Sequence, residues 1–498
     1  MTSVREAPGD PGPALTFGVL SRHIAAYLPG TVLPALLSFL FLFVFTRIFD
    51  PAQFGQYSLV LSVVGMLTVA TAKWLETGIN RYLAAAVDDA AASRVAHGAI
   101  LGFAAVALVI IVSGLVLGSL LHLSPSWTGF LLPATLFWAG LTIYEPLSVV
   151  FQAQMRPAAY STLQLARSVL RLGLGLLLVL LVARSPIYLL WGEALSLLLL
   201  IVPAWHASGF GAPRFLLNRQ QRDRAVQVLR SLAMYGGPMV GWFLGSQLLN
   251  VGDRYVLLAY RGPAEVGLYS ASYDLVARSI SVLAMPILLA AHPLLMKAWG
   301  RGDRSGAARW LGHITSRFVV IGGMATAGAW LFSSDLARWF LGPSFFEGHR
   351  IMALVVAGVA FWNLGMYVHK PFEFHERTLT LFTLSLTAAA LNLGLNLLLV
   401  PRFGYVGAAY ATLASYLGYV LAVAVRSRRL LSWSIPWRSV LPPLGVITLG
   451  SGAIWEVRRA WLCQFSANVT AALSMTLFAG LSGLVLLRIT TRGSRERT

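Results

Sequence analysis

The residues of this sequence that could do chemistry are charged side chains inside long apolar runs. Arg278 stands in the middle of one run, with Asp274 one helical turn before it on the same face. Arg167 and Arg171 form a like-charged pair one turn apart, Lys73 and Glu76 close another run, and Asp253 and Arg254 lie near the end of a third. A charge at mid-membrane depth is costly, so it faces a bundle interior or a wet cavity. Neighbouring opposite charges can simply neutralise each other, and Lys73 or Arg254 can snorkel to headgroups. Arg278 and the Arg167 and Arg171 pair resist that plainer reading, because two guanidiniums on one face repel unless an anion visits.

Guanidinium binds phosphate through paired hydrogen bonds as well as charge, so a pyrophosphate head is a natural guest. Arg278, Arg171, Arg167, Lys73, Arg254 and Asn392 are the candidate substrate contacts, and Asp274, Glu145 and Glu193 the candidate ion-coupling carboxylates. Tyr27, Trp74, Tyr144, Trp242 and Tyr273 could pack on sugar rings, although aromatics in such runs also serve plain packing and interface roles.

Signatures of enzymes are missing: there is no D-x-D pair, no HExxH, no P-loop and no G-x-S-x-G. No extramembrane segment is long enough for a catalytic domain, and the longest candidate loop lies between Leu331 and Arg350. His369, Glu373, His375 and Glu376 have spacing that permits a metal, but beside Lys370 and Arg377 they read better as a solvated cap. Neither metal nor cofactor is called for. Cys463 is the sole cysteine, which excludes a disulfide within the chain.

The elements that must position these residues are membrane helices. Of 498 residues 57% are hydrophobic and 11% charged, with mean hydropathy +0.71, a composition no soluble core can bury. Apolar runs of roughly twenty residues predict an all-α polytopic protein of about fourteen spans. The net charge of +19 sits in short segments between those runs, which speaks for charge displayed at a membrane rather than for nucleic acid. Its bias places both termini in the cytoplasm. The first sixteen residues lack the layout of a cleavable signal peptide.

A repeat organises the chain. PAQFGQYS at 51–58 recurs as PAEVGLYS at 263–270, and RLGLGLLLV from Arg171 recurs as NLGLNLLLV from Asn392. Between these anchors Phe137, Trp138 and Pro146 are echoed by Phe361, Trp362 and Pro371. Units with an even number of spans point the same way, so two parallel six-helix repeats face a central cavity. The expected division is a cytoplasmic segment 1–24, bundles 25–206 and 232–425 joined by a basic linker 207–231, two further spans within 426–490, and a basic tail 491–498. The charges are not duplicated: Asp274 and Arg278 fall on Ser62 and Met66, and Arg171 falls on Asn392. Pro29, Pro34 and Pro238 interrupt matching first spans and are plausible hinges.

The stretch 391–416, LNLGLNLLLVPRFGYVGAAYATLASY, reads as a membrane hairpin turning at Pro401 to Tyr405, with Asn392 and Asn396 on one face. It resembles, together with TRIFDPAQFGQYSLV near residue 46 and GDRYVLLAYRGPAEVGLYSASYDL from Gly252, the polysaccharide and O-antigen flippases of the multidrug/oligosaccharidyl-lipid/polysaccharide exporter superfamily. That resemblance covers nearly the whole chain. It implies a bacterial inner-membrane transporter, not an enzyme, that moves undecaprenyl-pyrophosphate-linked oligosaccharides outward by alternating access, for O-antigen, lipopolysaccharide or exopolysaccharide. The implied partners are the lipid-linked oligosaccharide, membrane lipids, H⁺ or Na⁺ as coupling ion, and the polysaccharide polymerase machinery. Multidrug members couple cations through carboxylates in early spans, whereas the first span here has none between Arg22 and Asp50. The alternatives are a cation-coupled drug or metabolite antiporter and a peptidoglycan-precursor flippase.

Overall fold

The computed structural model describes residues 29–120, 125–211, 216, 218–375 and 377–495. Segment 1–24, Tyr27, Glu376 and the last three residues of the tail lie outside them. Helices α1 (Pro29–Ile48), α2 (Pro51–Ala84), α3 (Asp89–Leu120), α4 (Pro125–Ala153), α5 (Pro157–Leu181) and α6 (Pro186–Ser208) come first. They are followed by α7 (Arg219–Arg261), α8 (Pro263–Gly300), α9 (Arg304–Phe340), α10 (His349–Val368), the single turn α11 (Lys370–Phe374) and α12 (Thr378–Ser427). Helices α13 (Trp437–Ala460) and α14 (Ala467–Arg495) close the chain, and no strand occurs among the described residues. Ten helices are long and apolar enough to cross a membrane among the described residues.

Local chemistry explains where the helices start. Proline opens α2, α5 and α6, where its missing N–H costs nothing. Asp50 and Gln53 cap α2 reciprocally, at 2.8 and 3.3 Å. Asp303 caps α9, and the bonds it accepts from the Gly306 N–H and the Ser305 hydroxyl hold its carboxyl below the usual range. The hairpin of the second half forms one assignment, α12, broken at Gly404 with φ 56° and ψ −140°. Its arms, 378–403 and 405–427, fold back so that Asn392 meets Thr412 at 3.5 Å.

Packing repeats between the halves. In the first, α2 packs on α4, α4 and α5 on α6, and α1 on α5; in the second, α8 packs on α10, α10 on α12, and α7 on α12. The halves join where α2 lies against α7 and α8, and one apolar core extends from Phe41 to Ala409 through both. The repeated motif sits at that junction. A methyl built on Gly55 would overlap the Pro263 carbonyl oxygen, and one on Gly267 would overlap the Pro51 carbonyl oxygen. The two turns therefore clasp each other reciprocally, glycine against carbonyl, as small residues do where helices approach closely. At the same end the Thr46 hydroxyl accepts from the Gly342 N–H at 2.9 Å, and Glu265 accepts from the Tyr405 N–H at 2.8 Å.

Several expectations change in detail. Pro34 and Pro238 lie inside continuous helices, so neither interrupts its span. The basic stretch expected as linker is helical from Arg219, because Asn218 caps it and no breaker follows. The segment after α9 spans only 341–348, with a 3-10 turn at Pro343–Gly348. His369 and Lys370 are not a solvated cap: both are buried, and both reach Glu373, at 2.8 and 2.7 Å. Helices α13 and α14 attach to α9, where Arg458 holds buried Asp335 at 2.7 Å.

Candidate functional site

The first-half hairpin of α5 and α6 crosses closely at Gly175 and Gly192, where a methyl on Gly192 would stand 2.6 Å from the Gly175 backbone. That approach sets Arg171 of α5 beside Glu193 of α6 in an ion pair. The Tyr57 hydroxyl of α2 donates to the same carboxylate oxygen and accepts from Arg171 Nη2 at 3.3 Å. Arg171 also lies over the Phe41 ring, 4.2 Å from its centroid. Glu193 is buried, so the guanidinium, the phenol and the ring together hold a charge that hydrocarbon would otherwise expel.

A second cluster comes from the other half. Arg254 of α7 pairs with Asp274 of α8 at 3.2 Å and donates to Ser58 and Ser62 of α2 at 3.1 and 3.2 Å. Arg278 approaches the other oxygen of Asp274 at 3.9 Å. Asp253 does not neutralise its neighbour through a side-chain pair; its carboxylate accepts from the Arg254 backbone N–H at 2.8 Å, from Thr412 at 3.3 Å and from the Tyr269 hydroxyl. Behind Thr412, Asn392 accepts from Asn396 at 3.1 Å, so the two amides that share a face by their spacing bond to each other.

The two clusters meet. A narrow cavity of about 30 Å³, room for a water or two, is lined by Arg171, Arg254, Asp274, Arg278, Tyr57 and Ser58. Its walls come from α1, α2, α5, α7 and α8, so both halves supply guanidinium groups to one space. Arg167 is not there. It pairs with Glu145 of α4 at 2.9 Å and covers the Tyr144 ring at 4.8 Å. The expected repulsion between Arg167 and Arg171 is therefore absent, since each has its own carboxylate on a neighbouring helix. Lys73 likewise stays with Glu76, at 2.6 Å, with its ammonium over Phe243.

The site contains residues that charge alone did not single out. Tyr57 and Tyr269 occupy the same place in the repeated motif, and each donates to a buried carboxylate of its own half, Glu193 or Asp253. The signal lay in the repeat itself, which retains the tyrosine while the surrounding charges differ. Tyr57→Phe removes a hydrogen bond to a charged group, worth about 1.5–3 kcal/mol. The purified Tyr57→Phe protein should therefore melt earlier than the wild type in detergent; an unchanged melting point would show that this bond does not hold Glu193 in place.

No curated protein sequence matches this chain. Solved structures do resemble it: a lipid II flippase MurJ in an inward closed conformation has TM-score 0.63 at 14% identity, over 95% of this chain and 99% of that one. A MOP superfamily transporter from Pyrococcus furiosus has TM-score 0.57 at 12% identity, over 82% and 95%. The Vibrio cholerae MATE transporter VcmN has TM-score 0.53 at 16% identity, over 83% and 97%. At such identities the likeness is one of fold. The sequence profile described as "Polysaccharide biosynthesis protein" matches residues 20–299, more than half of the chain and all of the first bundle with its clasp and its first-half charges. On that match the chain belongs to the polysaccharide biosynthesis protein family, as a multi-pass helical membrane protein with the MOP-superfamily fold.

Proposed function

We propose that this protein is a flippase that carries pyrophosphate-linked oligosaccharides on a polyprenyl lipid from the cytoplasmic to the outer leaflet of a bacterial inner membrane. It works by alternating access coupled to an ion gradient. The observation that carries this reading is the meeting of Arg171, Arg254 and Arg278, from both halves, in one intramembrane cavity. Guanidiniums from both halves can grip an oxyanion head through paired hydrogen bonds, which a cationic drug cannot accept. The clasped end is the outer face in this reading, which agrees with the charge bias and keeps both termini inside. An apolar space of about 740 Å³ among α9, α10 and α13, lined by Phe318, Trp330, Leu364 and Ile447, suits an isoprenoid chain beside the bundle. No domain that could polymerise sugar is needed.

Deletion of the gene tests the reading. The expected result is loss of surface polysaccharide with accumulation of lipid-linked units in the inner leaflet, restored by the gene in trans. Normal polysaccharide together with new sensitivity to cationic drugs would instead establish a drug antiporter.

A further inference from the structure

Arg171 pairs with Glu193, while Arg254 and Arg278 share Asp274. Arg171, Arg254 and Arg278 are matched in number by Glu193, Asp253 and Asp274. The three carboxylates are held differently. Glu193 and Asp253 are almost wholly buried, and each takes a tyrosine hydroxyl of the repeated motif. Asp274 is 30% exposed and takes none among the described hydrogen bonds; its two oxygens each face a different guanidinium, 3.2 Å from Arg254 and 3.9 Å from Arg278.

That bridging place is the one a phosphate would need. Arg278 has no nearer partner than Asp274 among the described residues, and Arg254 Nε is buried without a hydrogen-bond partner. We propose that Asp274 is an exchangeable counter-ion: the pyrophosphate head takes its place between Arg254 and Arg278, and the released carboxylate takes up a proton. This rests on the flippase reading and adds the coupling ion to it.

The charge balance gives the physical reason. A pyrophosphate diester brings two negative charges into a cavity that is neutral before it arrives, and in a low-dielectric space they repel any carboxylate left ionised. The groups around Asp274 leave little choice about which one yields. Helix α7 presents Arg254 and, through its backbone, Asp253; α2 presents Tyr57 and the hydroxyls of Ser58 and Ser62; α5 presents Arg171, with Glu193 behind it; α8 itself carries Tyr273 and Arg278. Residues 30–46 of α1 and 351–366 of α10 contain no titratable side chain. Of the carboxylates, Asp274 alone is both displaced by the head and open to water. Without the head, the same residue keeps two guanidiniums from standing unpaired. The sign follows from linkage: a head that displaces the carboxylate and leaves it protonated binds together with a proton, so head binding is stronger at low pH.

The test is calorimetric titration of the purified full-length protein with farnesyl-pyrophosphoryl-N-acetylglucosamine, which has no group titrating near neutrality, in buffers of different ionisation enthalpy. The wild type should take up about one proton per molecule bound, with affinity weakening by up to about tenfold per unit rise in pH. Asp274→Asn should bind the probe without proton uptake and with a flat pH profile, while Glu193→Gln keeps the uptake. Binding by the wild type without proton uptake, or equal uptake by Asp274→Asn, overturns the counter-ion role and leaves the flippase reading standing. A folded wild type that does not bind the probe overturns both.

Discussion

Arg171→Ala is expected to abolish export of surface polysaccharide, and the substitution acts in two ways that need separating. It removes a guanidinium from the cavity, and it leaves Glu193 buried without its cation, which by itself costs about 3–5 kcal/mol of stability. The double variant Arg171→Met with Glu193→Leu separates them. Replacing a buried ion pair by apolar side chains of similar size is close to neutral for folding, so this protein should insert and lose only what the unpartnered Tyr57 hydroxyl costs, about 1–3 kcal/mol. Its export should still be lost, because no oxyanion can be held on that wall. Arg278→Ala makes the same point from the other half: 40% exposed and only loosely paired with Asp274, Arg278 can be removed at little structural cost, yet its loss should abolish export. Thermal unfolding in detergent alongside polysaccharide quantification reads both effects, and full export by the double variant would remove Arg171 from the site.

Gly55→Val should also stop export, for a different reason. The Cα atoms of Gly55 and Gly267 face the carbonyl oxygens of Pro263 and Pro51, and a side chain on either glycine overlaps main-chain atoms that cannot swing away. Overpacking in a tight contact costs roughly 1–3 kcal/mol, here charged only to the conformation in which the two halves touch at this end. That shifts the population towards states in which the end is parted. Cysteine introduced at Leu61, which lines the cavity, in a Cys463→Ser background should then react with a membrane-impermeant maleimide added outside. The parent without the valine should be labelled more slowly. Equal labelling of the two would show that the clasp does not close the cavity.

Much of the fold was legible because hydrocarbon imposes a simple pattern. Runs of apolar residues marked the helices, and two copies of a proline-and-glycine turn marked the duplication. The structure added what that turn does: the copies are each other's contact surface, a relation between positions that no reading of one copy contains. The cations of the site were also legible, since a charge in an apolar run stands out. Partners on the same helix, Asp274 for Arg278 and Glu76 for Lys73, were legible too; those of Arg167, Arg171 and Arg254 were not, because they lie on other helices. The pairs obey a rule nonetheless. Arg167 with Glu145 and Arg171 with Glu193 are each 22 residues apart, and Arg254 with Asp274 is 20 apart. In every case the midpoint falls at the turn between two helices, because antiparallel neighbours set residues equidistant from their connection side by side. Applied along the chain, that rule would have removed Arg167 from the cavity and supplied a partner for Arg171. Pro34 and Pro238 show the limit of reading breaks from sequence: the helices run through both, as proline permits in a membrane bundle.

The central claim is that this protein moves a pyrophosphate-linked saccharide across a bilayer through a cavity lined by Arg171, Arg254 and Arg278. Its most direct measurement uses proteoliposomes loaded with a fluorescent polyprenyl-pyrophosphate oligosaccharide, in which the fraction of lipid reached by an impermeant glycosidase is followed with time. Wild-type protein should expose the inner-leaflet pool, faster when the lumen is more acidic than the outside, and the Arg171→Met, Glu193→Leu protein should behave like empty vesicles. Equal exposure by wild type, double variant and empty vesicles would contradict the account.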